Sequence, residues 1–185
     1  MKGKAKFFRI LSWLILVHPM LVEAHPLHWA SESLGFWGGL FHLLTSPEHV
    51  LALILIGMCM ARGGRRMINV MPIMYVVLML VGACLALFSI ELSYVESAAS
   101  LSLLTLAVML VLGNRSLLPV MMLIVANLAV LDGYIHAYDM MLDADAAFFS
   151  VGFVLGALLL IVAGSGLRRV LERFELPYVQ QAVER

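Results

Sequence analysis

Long apolar runs dominate this chain and limit its fold more than any other feature. Five of them lie roughly at residues 34–61, 69–90, 95–112, 117–141 and 146–167. A helix that crosses about 30 Å of hydrocarbon needs about 20 residues, so all five runs qualify, although 95–112 is short. Strands of a membrane barrel would instead alternate in hydropathy over about 10 residues. The sequence therefore predicts an all-α integral membrane protein built as a helical bundle.

The composition points to the same class. Of the 185 residues, 63% are hydrophobic and 13% are charged, against about 25% charged residues in an average soluble domain. Basic and acidic side chains balance at 12 each, and no basic cluster interleaved with aromatic residues points to nucleic acid. Cys59 and Cys84 both lie inside apolar runs, without the spacing of a redox or disulfide motif. We therefore expect the lipid bilayer, and not nucleic acid, as a partner.

The first residues have the three parts of a secretory signal peptide. A basic "MKGKAKFFR" precedes the apolar "ILSWLILVHPMLV", and "VEA" supplies small residues before a cleavage point after Ala24. We predict a signal peptide at 1–24, a polytopic transmembrane domain at 25–167 and a cytoplasmic tail at 168–185. The bundle then has five transmembrane helices, or six if the leader is an uncleaved first helix.

Charges alternate between the loops that join the apolar runs. "RGGRR" at 62–66 and Arg115 are basic, and the segment after Gly166 is rich in arginine. In contrast, "ELSYVE" at 91–96 and "DADA" at 143–146 are acidic. By the positive-inside rule, the mature N-terminus lies outside and the C-terminus lies in the cytoplasm. We expect a multi-pass protein of a bacterial-type inner membrane.

The polar stretch "HLLTSPEH" (residues 42–49) interrupts the first run. Thr45 or Ser46 is suited to cap a helix N-terminus, Pro47 suits the first helical position, and Glu48 suits the positive end of the helix dipole. The stretch therefore predicts that a helix starts or restarts near Ser46, which gives a broken or re-entrant first segment. Such a break is tolerated at membrane depth only where it is buried in protein or lines a wet cavity.

Ionisable residues collect in the outer half of the predicted bundle. His42 and His49 share one face if the helical phase persists across the break, and Asp132, His136 and Asp139 share a face of the fourth helix. Charged groups inside a membrane are costly and usually face a bundle interior or a cavity. Imidazole and carboxylate together suit Ni, Co or Zn, although each group alone is also typical of a membrane interface. The candidate metal ligands are His42, Glu48, His49, Glu96, Asp132, His136 and Asp139.

These motifs resemble the HupE/UreJ family, the membrane accessory proteins of hydrogenase and urease systems. The first family motif is His-Pro-Leu-Thr-Gly-x-Asp-His, which "HLLTSPEH" matches at His42, Thr45 and His49 with Glu48 in place of the Asp. Glu96 matches the family's acidic residue before the third span. The resemblance covers the whole chain in outline.

The later family motif, His-Gly-His-Ala-His-Gly-x-Glu, corresponds to "DGYIHAYD". Gly133 and His136 match it, and Asp139 replaces the Glu. Asp132 and Tyr134 stand where the family has histidines. The resemblance therefore implies a site that is shifted from imidazole toward oxygen ligands.

The resemblance implies a permease that supplies nickel or cobalt to a metalloenzyme maturation system, with the ion as its substrate and no permanently bound cofactor. No GxxxxGK[ST] motif for ATP binding occurs in the sequence, so transport would be driven by the membrane potential, a proton gradient or a partner protein. One alternative is a non-transporting accessory or assembly protein. Another is a membrane enzyme subunit that binds haem or a metal, but CxxCH, HExxH and GxSxG are all absent and we expect no enzymatic activity. A homo-oligomer is compatible with any of these functions.

Overall fold

The described part of the chain is helical. The computed structural model describes residues 35–88, 90, 92, 95–112, 115–139 and 145–183. The predicted signal peptide and the N-terminal His25 that would follow it lie outside the described residues. These residues contain six α-helices and one 3-10 turn, Arg115–Leu117: α1 (Phe36–Thr45), α2 (Pro47–Arg62), α3 (Arg65–Leu87), α4 (Val95–Leu112), α5 (Leu118–Asp139) and α6 (Ala146–Val183).

Three of these helices are long and apolar enough to cross a membrane on their own. They are α3, α5 and α6, and α1 with α2 forms a fourth candidate if the bent pair is one span. The apolar part of α4, Ser97–Leu110, is shorter. The all-helical membrane class is therefore confirmed for the described residues, whereas the count of five spans stays a prediction. The helix α6 continues without a break past residue 167, where the cytoplasmic tail was predicted to begin.

The predicted break in the first apolar run is present at Ser46. The axes of α1 and α2 are bent by 81° there, and Ser46 has an extended backbone with φ −89° and ψ 108°. Pro47 occupies the first position of α2, where its missing N–H disrupts no intrahelical bond. The residue before a proline avoids helical geometry, so the Ser46–Pro47 pair itself explains why the helix ends and restarts.

The prediction that a Thr45 or Ser46 side chain caps α2 was wrong, although Ser46 does occupy the N-cap position. Among the described residues, no side chain makes a capping hydrogen bond there. Instead, the Ser46 hydroxyl donates to the His42 carbonyl at 2.6 Å and the Thr45 hydroxyl donates to the Phe41 carbonyl at 2.7 Å. Carbonyls in the last turn of a helix lack intrahelical partners, and these hydroxyls lie one turn beyond their acceptors on the same helix. They therefore close the end of α1 and not the start of α2.

Two helices organise the packing of the described bundle. Both arms of the bent pair pack along α6, and α5 packs against α3 and α4. Fully buried apolar side chains from five helices fill the centre: Leu43, Ile56, Met60, Leu106, Met121 and Ile161. Large apolar side chains also cover the outside, among them Ile73, Leu101, Leu123, Phe148 and Val162. An apolar exterior of this extent indicates that lipid surrounds the bundle.

Glycines make the closest helix–helix approaches. At each of six glycines, an added Cβ would overlap a backbone carbonyl of the facing helix. Small residues allow such approaches and are a main source of helix association in membranes. The six form three reciprocal pairs: Gly39 with Gly152 between α1 and α6, Gly57 with Gly164 between α2 and α6, and Gly82 with Gly133 between α3 and α5.

A buried hydroxyl adds a hydrogen bond to the α2–α6 contact. Ser165 is 3% exposed, and its hydroxyl donates to the Gly57 carbonyl at 2.9 Å. We expect Ser165→Ala to lower the free energy of unfolding by about 0.6 kcal/mol, the average for interhelical bonds in a membrane protein. Unfolding by SDS in mixed micelles measures this. Ser150→Ala is the control, because the exposed Ser150 hydroxyl donates within α6 to the Ala146 carbonyl. Equal losses in the two variants would contradict the prediction.

Candidate metal site

Three histidines from three helices meet at one end of the bundle. His42 lies in the last turn of α1, His49 in the first turn of α2 and His136 in the last turn of α5. Their ring centroids are 5.2 Å (His42–His49), 5.4 Å (His42–His136) and 5.0 Å (His49–His136) apart. One nitrogen from each ring lies within 4.8 Å of the other two. Below, "the triad" means these three residues.

The helix break brings the first two members of the triad together. On a straight helix, residues seven apart are separated by about 10.5 Å along the axis. The 81° bend at Ser46 brings the His42 and His49 rings to 5.2 Å. The shared face was expected only if helical phase persisted across residue 46, and the break interrupts that phase, so the two rings meet for a different reason. The break folds the last turn of α1 toward the first turn of α2.

An aromatic wall on α6 packs against the triad. The Phe153 ring lies 4.3 Å from the His136 ring, 6.1 Å from His42 and 6.4 Å from His49, measured between centroids. Phe149 lies 6.0 Å from His42. Phe153 is 3% exposed, so it excludes water from the side of the triad that it covers and provides an environment of low polarity for charge interactions.

Two triad nitrogens are buried without a hydrogen bond. Among the described residues, His42 Nε2 and His49 Nδ1 are the buried side-chain nitrogen or oxygen atoms without a hydrogen bond, and His49 Nδ1 has only the longer 3.6 Å contact with the Glu48 carboxylate. A buried polar atom with no partner destabilises a fold by about 1–3 kcal/mol, and in native proteins such an atom calls for a structural or functional reason. A bound cation supplies that reason, because a neutral imidazole nitrogen is a ligand for divalent metals.

Two carboxylates flank the triad on different sides. The Glu48 Oε1 atom lies 3.6 Å from His49 Nδ1, and the Asp132 Oδ1 atom lies 3.3 Å from His136 Nδ1. The Glu48 side chain is 53% exposed, whereas that of Asp132 is 17% exposed. Glu48 is thus exposed beside His49, whereas Asp132 is mostly buried beside His136.

The other two predicted ligands are placed only by their backbones. Glu96 lies in the first turn of α4, and Asp139 is the last residue of α5. Their side chains lie outside the described part of the structure. The predicted shared face of Asp132 and His136 is confirmed by the contact between them.

Two further residues beside the site were missed in the sequence. Phe153 gave no signal, because a phenylalanine in an apolar run is ordinary core. Tyr75 is 3% exposed, and its hydroxyl donates to Asp132 Oδ2 at 3.2 Å. The sequence did contain a sign of this contact, because Tyr75 is the one hydroxyl-bearing residue in the apolar run "MPIMYVVLML". A buried tyrosine hydroxyl usually needs a hydrogen-bond partner.

Tyr134 has a structural contact at the same end of the bundle. Its hydroxyl accepts the Leu92 backbone N–H at 3.2 Å, which ties α5 to the connection between α3 and α4. The side chain is 6% exposed. This contact accounts for a tyrosine where the family resemblance places a histidine.

The triad has the donor atoms of a metal site, and the distances between its nitrogens are only slightly larger than those around a bound ion. Three nitrogens at about 2.1 Å from one tetrahedral ion lie about 3.4 Å apart. The triad nitrogens lie within 4.8 Å of one another, so small ring rotations would close the site on an ion. Three histidines leave further coordination positions open for water or another ligand. An open site of this kind suits reversible capture better than permanent storage.

Comparisons with known proteins agree with the resemblance seen in the motifs. The family model described as HupE / UreJ protein matches residues 13–183. The chain is also similar to Protein HupE of Rhizobium leguminosarum bv. viciae, with 26% identity over 163 residues, which covers 88% of this chain and 84% of that protein. No solved structure matches the chain significantly.

Proposed function

This chain belongs to the HupE / UreJ family, and from that premise we propose that it is an inner-membrane permease for a divalent transition-metal ion of the nickel or cobalt type. The triad supplies the nitrogen ligands. The single observation that carries the proposal is the meeting of three imidazoles, each of which offers a nitrogen within 4.8 Å of the other two. Two of these rings also have a buried nitrogen without a hydrogen bond.

The carboxylates supply the charge that three neutral imidazoles lack. A divalent cation within a bilayer is unfavourable unless negative charge lies near it. Glu48 and Asp132 each lie beside one ring of the triad. Glu48, which is half exposed, is the first group that an incoming ion meets. Glu96 and Asp139 complete the acidic set that we assign to this end of the bundle.

We assign the triad to the outer side of the membrane. The arginines Arg62, Arg65 and Arg66 stand at the opposite end of α2, where α2 joins α3, and basic connections favour the cytoplasmic side. Exposed aromatic side chains lie near the triad end, Trp37 at the start of α1 and Phe148 at the start of α6. Aromatic residues favour the membrane interface, so the ion would bind about one to two helical turns below it.

A non-transporting accessory function for a metalloenzyme maturation system is the second candidate. The observation in its favour is Tyr134, which stands where the family motif has a histidine and whose hydroxyl contacts the Leu92 N–H. Such a protein would keep the triad and bind the ion without moving it across the bilayer.

Metal flux into proteoliposomes distinguishes the two candidates. The purified protein is reconstituted, and uptake of Ni²⁺, Co²⁺, Zn²⁺ and Mn²⁺ is measured with an ion-sensitive dye inside the vesicles. For a permease we expect saturable uptake of Ni²⁺ and Co²⁺, weaker uptake of Mn²⁺, and no uptake above protein-free vesicles for His49→Ala. Nitrogen ligands favour the first two ions over manganese.

The control for the flux measurement is a second variant reconstituted in the same way. Thr45→Ala removes a hydroxyl of the same stretch that donates to the Phe41 carbonyl, and it should transport as the parent does. Folded parent protein that binds Co²⁺ but gives no flux of any ion would replace the permease with the accessory function. Absence of both binding and flux would refute both.

A further inference from the structure

A buried tyrosine on α3 reaches the metal site through a carboxylate. Tyr75 is 3% exposed and lies among apolar residues, yet its hydroxyl donates to Asp132 Oδ2 at 3.2 Å. The α3 and α5 helices approach closely at Gly82 and Gly133, which allows this contact. Nothing in the capture of an ion by three imidazoles requires a tyrosine at this position.

Asp132 contacts His136 through two of its oxygens. The His136 Nδ1 atom is 2.8 Å from the Asp132 backbone carbonyl and 3.3 Å from the Asp132 Oδ1 atom. The carboxylate therefore lies between Tyr75 on one side and His136 on the other. Each of its oxygens faces a polar group, as a buried carboxylate requires.

These contacts favour one tautomer of His136. A carbonyl oxygen only accepts hydrogen bonds, so Nδ1 must carry the proton that lies between the two groups. A neutral imidazole with a proton on Nδ1 has its lone pair on Nε2. In metal sites, a histidine that donates its second N–H to a carboxylate or carbonyl is held in orientation and becomes a stronger ligand.

We propose that Tyr75 is a positioning residue of the metal site, which acts on the ion through Asp132 and His136. Its hydroxyl holds the Asp132 carboxylate behind His136, the carboxylate and the carbonyl hold His136 as the Nδ1–H tautomer, and Nε2 is the ligand atom. Asp132 then contributes negative charge from behind the ring and not as a direct ligand. This inference rests on the proposed function, because it assigns Tyr75 a place in ion binding.

A purely structural function of the Tyr75 hydroxyl makes a different prediction. If the hydrogen bond only ties α3 to α5, its loss changes stability and leaves the triad and its ion affinity unaltered. If it positions His136, its loss changes ion affinity and the His136 N–H even where the protein stays folded.

The test is Tyr75→Phe, which removes one oxygen atom and keeps the buried ring. Co²⁺ is titrated into the purified protein in detergent, and binding is followed by its visible absorption. We expect about tenfold weaker binding, the lower end of the range for loss of an outer-shell partner. Tyr134→Phe is the matched control, because it removes a buried hydroxyl that accepts the Leu92 N–H. This variant should bind Co²⁺ as the parent does.

A second measurement uses the metal-free protein. With ¹⁵N-labelled histidine, NMR reports which nitrogen of each ring is protonated, and His136→Gln identifies the His136 signal. We expect the Nδ1–H tautomer at His136 in the parent, and an Nδ1–H signal that moves and exchanges faster in Tyr75→Phe but not in Tyr134→Phe.

The outcomes separate this inference from the proposed function. If the parent and Tyr75→Phe bind Co²⁺ equally well, the inference is overturned and the proposed function stands. An Nε2–H tautomer at His136 in the parent also overturns it. If the parent binds no Co²⁺, the proposed function fails, and Tyr75 then has no function in ion binding. The NMR signal of His136 still decides whether Tyr75 positions the ring.

Discussion

Co²⁺ binding to the purified protein should fall by at least about 100-fold in each of His42→Ala, His49→Ala and His136→Ala. That loss exceeds the 10- to 100-fold range expected for an outer-shell partner, because each variant removes one of three nitrogen ligands. The rings lie 5.0 to 5.4 Å apart as a nearly equilateral set, so the three losses should be similar. Isothermal titration calorimetry in detergent measures all three affinities under one condition.

The three substitutions should not be additive. Residues that act on one shared ion are coupled, so the triple alanine variant should bind scarcely less Co²⁺ than any single variant. Thr45→Ala serves as the control from the same stretch, since its hydroxyl bonds the Phe41 carbonyl of its own helix. If one histidine could be removed with full affinity retained, the ion would not be held by the triad as a unit.

Gly164→Leu should prevent α2 from packing on α6 and destabilise the protein by about 3 kcal/mol, the upper end of the range for overpacked cores. A Cβ at Gly164 would overlap the carbonyl and Cα of Ile54. Backbone atoms cannot move aside as a flexible side chain can, so the helices must separate. We expect the midpoint of unfolding in SDS titrations to move to a lower SDS fraction, and part of the protein to elute as aggregate on size exclusion.

Gly166→Leu is the matched control, two residues further along the same helix. Nothing lies within 4 Å of a Cβ at Gly166, and the residue is exposed. Leucine there should leave packing intact and increase helix stability by about 0.5–1 kcal/mol, because glycine is a poor helix former. An equal loss of stability in the two variants would contradict the prediction. It would show that any large side chain on this part of α6 destabilises the bundle, whether or not it lies close to Ile54.

The membrane class and the helix break were predictable because both depend on local properties. Hydropathy summed over about 20 residues predicts a span wherever the residues later pack. Pro47 ends and restarts a helix through its own ring and its missing N–H, and the structure has the break at Ser46. The relation of Asp132 to His136 was also predictable, since residues four apart on one helix are neighbours.

Other features of the site were not predictable because they depend on contacts between distant segments. Thr45 and Ser46 were expected to cap α2, but their hydroxyls bond the end of α1; both uses suit a hydroxyl beside a helix end. Phe153 and Tyr75 lie in long apolar runs, and hydropathy does not distinguish the residues of such a run that face the site from those that face lipid. Their proximity to the triad depends on which face of α6 or α3 turns inward.

Hydropathy and proline geometry act over a few residues. The amino-acid sequence was therefore sufficient to predict the apolar helices, the break at Ser46, and the imidazoles and carboxylates available to an ion. In contrast, the meeting of His42, His49 and His136 is evident only once the helices are packed. Their distance depends on how closely helices far apart in the chain approach one another. Glycines bring α1 and α2 against α6, and α3 against α5, and the meeting of α5 with α1 and α2 follows from the packing of the whole bundle.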